Sequence, residues 1–559
     1  MTKTLLVGWD AACWEYLRPL LQAGRLPALQ KLIDTGISGT LQSTMPPWTP
    51  TAWASIVTGK NPGKHGIFDM LWKRPGTYEF SPVNASLRRG TPFWTRLNQQ
   101  GIRTGLVNVP FTYPPAPLDG FMVCGFGTPA SISQIAYPQE AQQRVHSRFP
   151  DFKPEVEAEV LRTAPPQEIF RVEQKQQQQF VEIALDLAGR YPVDVLVINL
   201  MFPDHANHKM PEMEQVYAAY ERTDADLARL IETYQPDNVM LISDHGSSRL
   251  KGDFWLDAWL RDRGYIVALQ SQPAERAAAL NWLLLQLFRE HYGWSGWWEK
   301  VFRRVAKESL LRLPDWLNGP LWDRLENTFP RAREFVALNG RPDYAASTVF
   351  PGSVYAGLLY LNVVGREPHG IVPPEERAAL AARLAGELRH IKEPETGRQL
   401  FSNVYTAEEI YSGAALPHAP DLILDAYDCG WNIRAGKYTS HPGPVVDGYF
   451  FQQASHRDFG WHSREGIFVF SGQAFEQTGN SSPAGKLVDI PATLLHIYGV
   501  PIPEDYDGQV ITELLSLTLR QAPLAYQQGD GELEVEEKTY ESEEAEILFD
   551  HLRALGYLD

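Results

Sequence analysis

Cysteine is almost missing from this chain. Cys13, Cys124 and Cys429 are the three in 559 residues, and none belongs to a CxxC pair. That excludes a disulfide framework. Long apolar runs are missing too: the most apolar region, Ala277 to Phe288, falls far short of the roughly 20 uninterrupted residues of a membrane-spanning helix. A basic excess is also absent. Fifty-one Lys and Arg stand against 68 Asp and Glu, a formal charge of −17, which argues against a broad grip on a nucleic-acid polymer. A small phosphorylated substrate stays open, because bound cations reverse the field locally. The opening MTKTLLVGWD has no apolar stretch before a small-residue cleavage site; no signal peptide is expected, and the cytoplasm is the expected location. There is no internal repeat and no long low-complexity tract.

What remains is ordinary for a globular protein: 44% hydrophobic and 21% charged residues. At roughly 150 residues per domain the length suggests three or four units, or one α/β enzyme enlarged by insertions. One grammar recurs along the first half. Leu5 to Trp9 is an apolar run ending at Asp10, followed by a helical pattern through Leu17, Leu20, Leu21, Leu29, Leu32 and Ile33. Val193 to Leu200 leads to Asp204, and Val239 to Ser243 leads to Asp244 and His245, each after a helical stretch. Short apolar strands alternating with helices predict a mostly parallel sheet covered on both faces. Ligands of such sheets bind at the carboxyl ends of the strands, where these acids and imidazoles lie.

From 271 to 341 the character changes. Six of the sixteen tryptophans fall there, with many Arg and Lys and no strand-like run, so a helical insertion is expected. Strand-like runs resume at Tyr355 to Leu361 and Gly466 to Phe470. Asp489 to Gly508 reads as a short helix with a proline-punctuated exit, 516 to 535 as a loose connection, and 542 to 558 as an acidic helix with Leu548, Leu552 and Leu555 on one side. The expected organisation is a catalytic core of 1–270 and 342–515, a Trp-rich insertion of 271–341 acting as a cap over the site, and a C-terminal linker and helix of 516–559.

Asp204 and His208 are four apart, one helical turn, and can share a metal. Asp244–His245 offers an oxygen and a nitrogen from one turn, and Asp10 adds a carboxylate. Singly, each is as readily a solvated pair; together, at three strand ends, they suit zinc or a similar divalent ion. A second constellation is PPWTPTAWASIVTGKNPGKHGIFD, Pro46 to Asp69. Thr49 and Thr51 stand just before a helix-like stretch, and either could cap it or, beside a metal, act as a nucleophile. GKNPGKH is one residue too short for a phosphate-binding P-loop and has His65 where Ser or Thr should follow.

Taken together, Asp10, WTPTAWASIVTGKNPGKHGIFD, FPDHANH, SDHG and GWHSREGIFVFSG resemble, in content and order, the alkaline phosphatase superfamily, in particular its nucleotide pyrophosphatase/phosphodiesterase branch. The resemblance runs over most of 1–265 and 345–515. It implies an alkaline-phosphatase-like α/β fold and two divalent ions, zinc or else manganese. One ion would be held by Asp10, Thr49, Asp244 and His245, and the other by Asp204, His208 and His462. By the same resemblance Thr49, six residues before Ser55, is the catalytic nucleophile rather than Thr51. His462 is preferred to His456, and His65 is structural. One departure stands out: Met70 occupies the place where that branch has a phosphate-binding Asn. Cys13 and Cys429 lack the CxPxR context of the sulfatases in the same superfamily. The implied activity is hydrolysis of a small phosphate ester, with a nucleotide among the candidate substrates, through a phosphothreonine. The rivals are a phosphomonoesterase or phosphonate hydrolase on the same scaffold, and a non-catalytic binding protein with structural metals.

Overall fold

The computed structural model describes residues 2–129, 134–267, 269, 342–352, 357–427, 429–435, 445–447, 450–453, 459–476, 484–531 and 539–556. The Trp-rich segment 271–341 and His456 lie outside the described residues. A nine-stranded sheet organises the rest. Across it the strands run Ala484–Lys486, Gly36–Gln42, Glu465–Gly472, Asn238–Ile242, Thr4–Trp9, Val195–Leu200, Thr104–Val109, Gly120–Cys124 and Ala136–Tyr137. Glu465–Gly472 and Ala136–Tyr137 run against the other strands. The Gly466–Phe470 run is thus a central strand, as its burial demands, but an antiparallel one; an apolar run carries no mark of its direction.

Both faces are covered. In Thr4–Trp9, Leu5, Val7 and Trp9 point into a cluster with Leu17, Leu29, Phe180 and Tyr220, whereas Leu6 points the other way, against Trp53, Ile56, Phe93 and Leu494. This is the period-two alternation of a strand with hydrophobic helices on each side. The single helical pattern expected after Asp10 is two helices, Trp14–Gln22 and Pro27–Thr35, broken at Gly24 in the left-handed region and restarted by Pro27. Long helices at Pro166–Arg190 and Met213–Tyr234 complete that face.

The described residues between 252 and 453 include a further, smaller apolar cluster, with Phe254, Trp259, Leu361, Leu384, Leu424 and Trp431 among its members. The Tyr355–Leu361 run contributes Leu358–Leu361 to a separate four-stranded antiparallel sheet, not to the central one. The C-terminal helix Ser542–Leu555 buries Leu548, Leu552 and Leu555 as its pattern requires.

The connection expected to be loose is pinned at Asp530. Its carboxylate accepts from Lys60 Nζ at 2.9 Å, from the Thr91 hydroxyl at 2.6 Å and amide at 2.9 Å, and from Arg96. Lys60 is also paired with Asp505 at 2.6 Å. The side chains of Lys60, Arg96 and Asp530 are all buried, so removing one partner strands the others without solvent. Asp530→Ala is expected to destabilise the fold by about 3 kcal/mol, read as a lower urea midpoint at unchanged slope. A loss below about 0.5 kcal/mol would class it with surface substitutions and show that the cluster is not a clamp.

Candidate functional site

The three central strands Asn238–Ile242, Thr4–Trp9 and Val195–Leu200 are parallel neighbours. Their carboxyl ends therefore coincide, and each delivers a carboxylate to one place. Asp10 follows directly on its strand. Its neighbour Ala11 has φ 61°, a left-handed conformation that costs a non-glycine residue about 1 kcal/mol. The Ala11 carbonyl is held there by the Tyr220 hydroxyl at 2.9 Å and the Ser247 hydroxyl at 2.7 Å. Asp204 and His208 lie on one face of the helix Phe202–Lys209. Pro203 fits its first turn, where its missing N–H costs nothing, and the Phe202 amide is satisfied by Gln177 Oε1 of a neighbouring helix at 3.0 Å. His462 arrives from far along the chain on the strand Gly460–Ser463, which pairs antiparallel with Gly246–Arg249 just after Asp244–His245.

Thr49 is the first residue of the wholly buried helix Thr49–Thr58. It does not cap that helix: Trp48 occupies the cap position, and no side chain bonds there. The Thr49 hydroxyl instead lies 3.3 Å from His245 Nε2. The Thr51 hydroxyl, equally buried, has no hydrogen-bond partner among the described residues. The helix ends on Gly59 in the left-handed region, where a Cβ would strike the Tyr506 ring at 2.3 Å. His65 is a structural residue of this segment. Its Nε2 is 2.9 Å from the Ser55 hydroxyl and its Nδ1 accepts from the Ile67 amide at 3.1 Å. Burial, with Arg88 and Lys60 nearby, pushes its pKa down to about 3.

The seven expected residues form two adjoining groups, all buried. In one, His245 Nε2 is 3.5 Å from Asp10 Oδ1, 3.4 Å from Asp244 Oδ2 and 3.3 Å from the Thr49 hydroxyl. In the other, His208 Nε2 is 3.1 Å from His462 Nε2 and 3.5 Å from Asp204 Oδ1, and His462 Nε2 is 3.8 Å from Asp204 Oδ1. Donors bound at about 2.0–2.1 Å to one tetrahedral ion stand roughly 3.4 Å from each other. Both groups fit that spacing. The His245 and His462 rings stack across the boundary with centroids 3.8 Å apart. His245 Nδ1 is 3.1 Å from the Gly246 carbonyl and His462 Nδ1 is 2.8 Å from the Pro47 carbonyl. A carbonyl only accepts, so both Nδ1 atoms carry the proton and both Nε2 lone pairs face the site, the arrangement of a metal-ligating imidazole.

Electrostatics agree. Burial, then Asp244 and Asp204, hold Asp10 well above the usual carboxylate range. Burial and Asp204 raise Asp244 as well, against His245. For Asp204 burial raises, but His208, His462 and His245 prevail and lower it. Burial, His245 and His208 drive His462 well below the ordinary imidazole value. Asp10 Oδ1 and both oxygens of Asp244 lack hydrogen bonds of normal geometry. Unpaired buried carboxylate oxygens are costly, and divalent cations would satisfy them.

Residues 4–463, a span that includes every member of both groups, match the model of the family described as type I phosphodiesterase / nucleotide pyrophosphatase. The chain belongs to that family. Among solved structures, phosphonoacetate hydrolase from Sinorhizobium meliloti 1021, in complex with phosphonoformate, is similar over 89% of this chain and 95% of its own at 15% identity and a TM-score of 0.50. The alkaline-phosphatase-like fold is thus shared. Human ectonucleotide pyrophosphatase/phosphodiesterase 5 aligns at 14% identity, and its murine counterpart, an inactive variant in complex with AMP, at 13%. Each covers 92% of this chain and 100% of its own, with a TM-score of 0.49. No curated protein matches in sequence. No helix of the described residues is long and apolar enough to cross a membrane.

Sequence reasoning passed over the residues that hold these groups. Asn199 sits inside the VDVLVINL strand and donates to Asp10 Oδ2 at 2.9 Å; a lone amide in an apolar run was its signal. Trp48, Trp461 and Tyr427 wall the site, with Trp48 and His462 ring centroids 4.9 Å apart, and nothing local distinguished them from core aromatics.

The raised carboxylates make metal binding and stability depend on pH in a defined direction. Without metal, the stability contributed by Asp10 and Asp244 is full below the unfolded carboxylate pKa of about 3.9 and is lost as pH rises through their raised folded values. Asp204, shifted down, contributes above the unfolded value and stays constant near neutrality. Bound cations reverse the penalty on the first two. The gain in Tm of metal-loaded over chelator-treated protein is therefore expected to grow as pH rises from the ordinary carboxylate range toward neutrality. A gain that is flat or falls over that range would contradict this electrostatic account.

Proposed function

We propose that this protein is a two-metal phosphate-ester hydrolase of the phosphodiesterase type, with Thr49 as nucleophile. The observation that carries the reading is the place of the Thr49 hydroxyl, 3.3 Å from His245 Nε2 and at the N-terminus of a helix. A purely structural metal site needs no hydroxyl among its donors. Asp10, Thr49, Asp244 and His245 would hold one ion, and Asp204, His208 and His462 the other, with zinc or manganese as the metal. Two such ions supply a lowered pKa for the hydroxyl and neutralisation of charge on the phosphate.

The residues divide the remaining work. The helix beginning at Thr49 offers the positive end of its dipole to bound phosphate. Thr49 Oγ attacks phosphorus in line as its proton passes to water; the bond from phosphorus to the ester oxygen breaks, and the departing alkoxide takes up a proton from water. Water then attacks the phosphothreonine from the opposite side, releasing the phosphorylated product and restoring Thr49. The aromatic wall excludes bulk water and keeps the electrostatic interactions strong. Met70, buried among apolar neighbours, offers no side-chain donor to phosphate. The substrate is a small phosphate ester, a nucleotide among the candidates, bound without that contact.

Turnover of phosphate mono- and diesters with Zn²⁺ or Mn²⁺ is the direct test. The diester is expected to be the better substrate. Thr49→Ala is expected to lower kcat by at least about a thousandfold while both ions remain bound, and Thr51→Ala to have a much smaller effect. Activity that survives Thr49→Ala but not Thr51→Ala would move the nucleophile by two residues. Activity intact after exhaustive chelation would remove the metals from the mechanism.

A further inference from the structure

Asp10 has two carboxylate oxygens, and its site needs one of them. Oδ1 faces His245 Nε2 at 3.5 Å, whereas Oδ2 accepts from Asn199 Nδ2 at 2.9 Å. Asp10 and Asn199 are both completely buried. The Asn199 amide nitrogen is turned toward Asp10, the orientation that suits a carboxylate holding a cation, and Asn199 Oδ1 is left without a hydrogen-bond partner among the described residues. A buried, half-satisfied Asn is a poor device for stability. Its neighbours nevertheless make room for it. Gly8 lies beside it in the sheet, and a Cβ there would come within 2.3 Å of Asn199 Oδ1. The Asn199 carbonyl accepts from Asn108 Nδ2 at 2.9 Å. Asn108 itself has φ 54° and sits where the pairing of Thr104–Val109 with Gly120–Cys124 slips by one residue. On the other side of Asp10, the left-handed Ala11 is held by the Tyr220 and Ser247 hydroxyls.

We infer that Asn199 is a positioning residue that ties back one oxygen of Asp10 so that the other is presented as a single ligand to the ion shared with Thr49. Tyr220 and Ser247 hold the turn that follows. The constraint has a reason. Asp10, Asp204 and Asp244 crowd one buried space, and a carboxylate free to rotate would offer either oxygen, or both, to either ion. This inference rests on the two-metal reading of the site. It concerns the ion on the Thr49 side, because Asn199 touches no residue of the Asp204–His208–His462 group among the hydrogen bonds described.

The test is titration of both sites with Zn²⁺ against a chromophoric chelator, for the wild type, Asn199→Leu and Tyr220→Phe. Asn199→Leu keeps the volume and removes the donor; Tyr220→Phe removes one hydroxyl and keeps the ring. Asn199→Leu is expected to weaken one of the two affinities by about 10- to 100-fold, the usual effect of losing a partner behind a metal ligand, and to leave the other within about threefold. Tyr220→Phe should weaken the same site less. After chelation both variants should melt within about 4 °C of the wild type, which a merely structural role would not allow alongside a selective loss of one ion. Equal weakening of both sites, or unchanged affinities, would overturn the inference, and Tyr220→Phe decides should Asn199→Leu not fold. The titration needs no turnover, so a protein that loses one ion on Asn199→Leu yet hydrolyses no ester would refute the proposed function and leave the positioning role standing.

Discussion

Three aspartates, Asp10, Asp204 and Asp244, are buried at one point of the molecule, and like charges out of water repel strongly. The fold itself creates this conflict. Parallel neighbouring strands bring their carboxyl ends together, and the chain places an acid just past each of the three. Much of the local structure answers the conflict: two imidazoles aimed by backbone carbonyls, an amide behind Asp10, and a geometry in which donor spacings suit two divalent ions. Without cations the arrangement works against stability; with them it becomes a pre-organised positive centre inside a chain of net charge −17. The overall acidity that disfavours nucleic-acid polymers therefore does not oppose a phosphate at this site.

Much of this was legible in the sequence because the responsible elements are local. A parallel strand buried on both faces is an apolar run, an acid at its end breaks the run, and Asp204 and His208 share a helical face by spacing alone. Thr49 was harder. Two threonines satisfied the same local chemistry, and resemblance rather than physics chose between them; the structure places Thr49 against His245 and gives the Thr51 hydroxyl no hydrogen-bond partner among the described residues.

The rest depends on contacts distant in sequence. The direction of Glu465–Gly472 follows from the return path of the chain and leaves no trace in its composition. His462 reaches the site only because Gly460–Ser463 pairs with Gly246–Arg249, more than 200 residues earlier in the chain. Asn199 passed without notice in its strand because its partner, Asp10, is 189 residues away. The polar stretch around Asp530 read as loose for the same reason: Lys60, Thr91 and Arg96 are all more than 400 residues distant.

The segment before Thr49 joins these observations. Met45 accepts through its carbonyl from the Tyr411 hydroxyl, and the Pro47 carbonyl holds His462 Nδ1 at 2.8 Å. The Trp48 ring lies against the His462 ring, while its Nε1 donates to the Tyr427 hydroxyl at 3.2 Å. Thr49 comes next and faces the other group of donors. Two consecutive peptide units thus separate a carbonyl that orients a member of one donor group from a hydroxyl that lies against the other. Proline at 46, 47 and 50 stiffens this stretch by fixing φ. A shift of the segment would carry the Thr49 hydroxyl and the carbonyl that orients His462 together, so the backbone sets the spacing between the hydroxyl and both donor groups. Rigidity of this kind suits in-line attack, where a displacement of about 1 Å costs on the order of a hundredfold in rate.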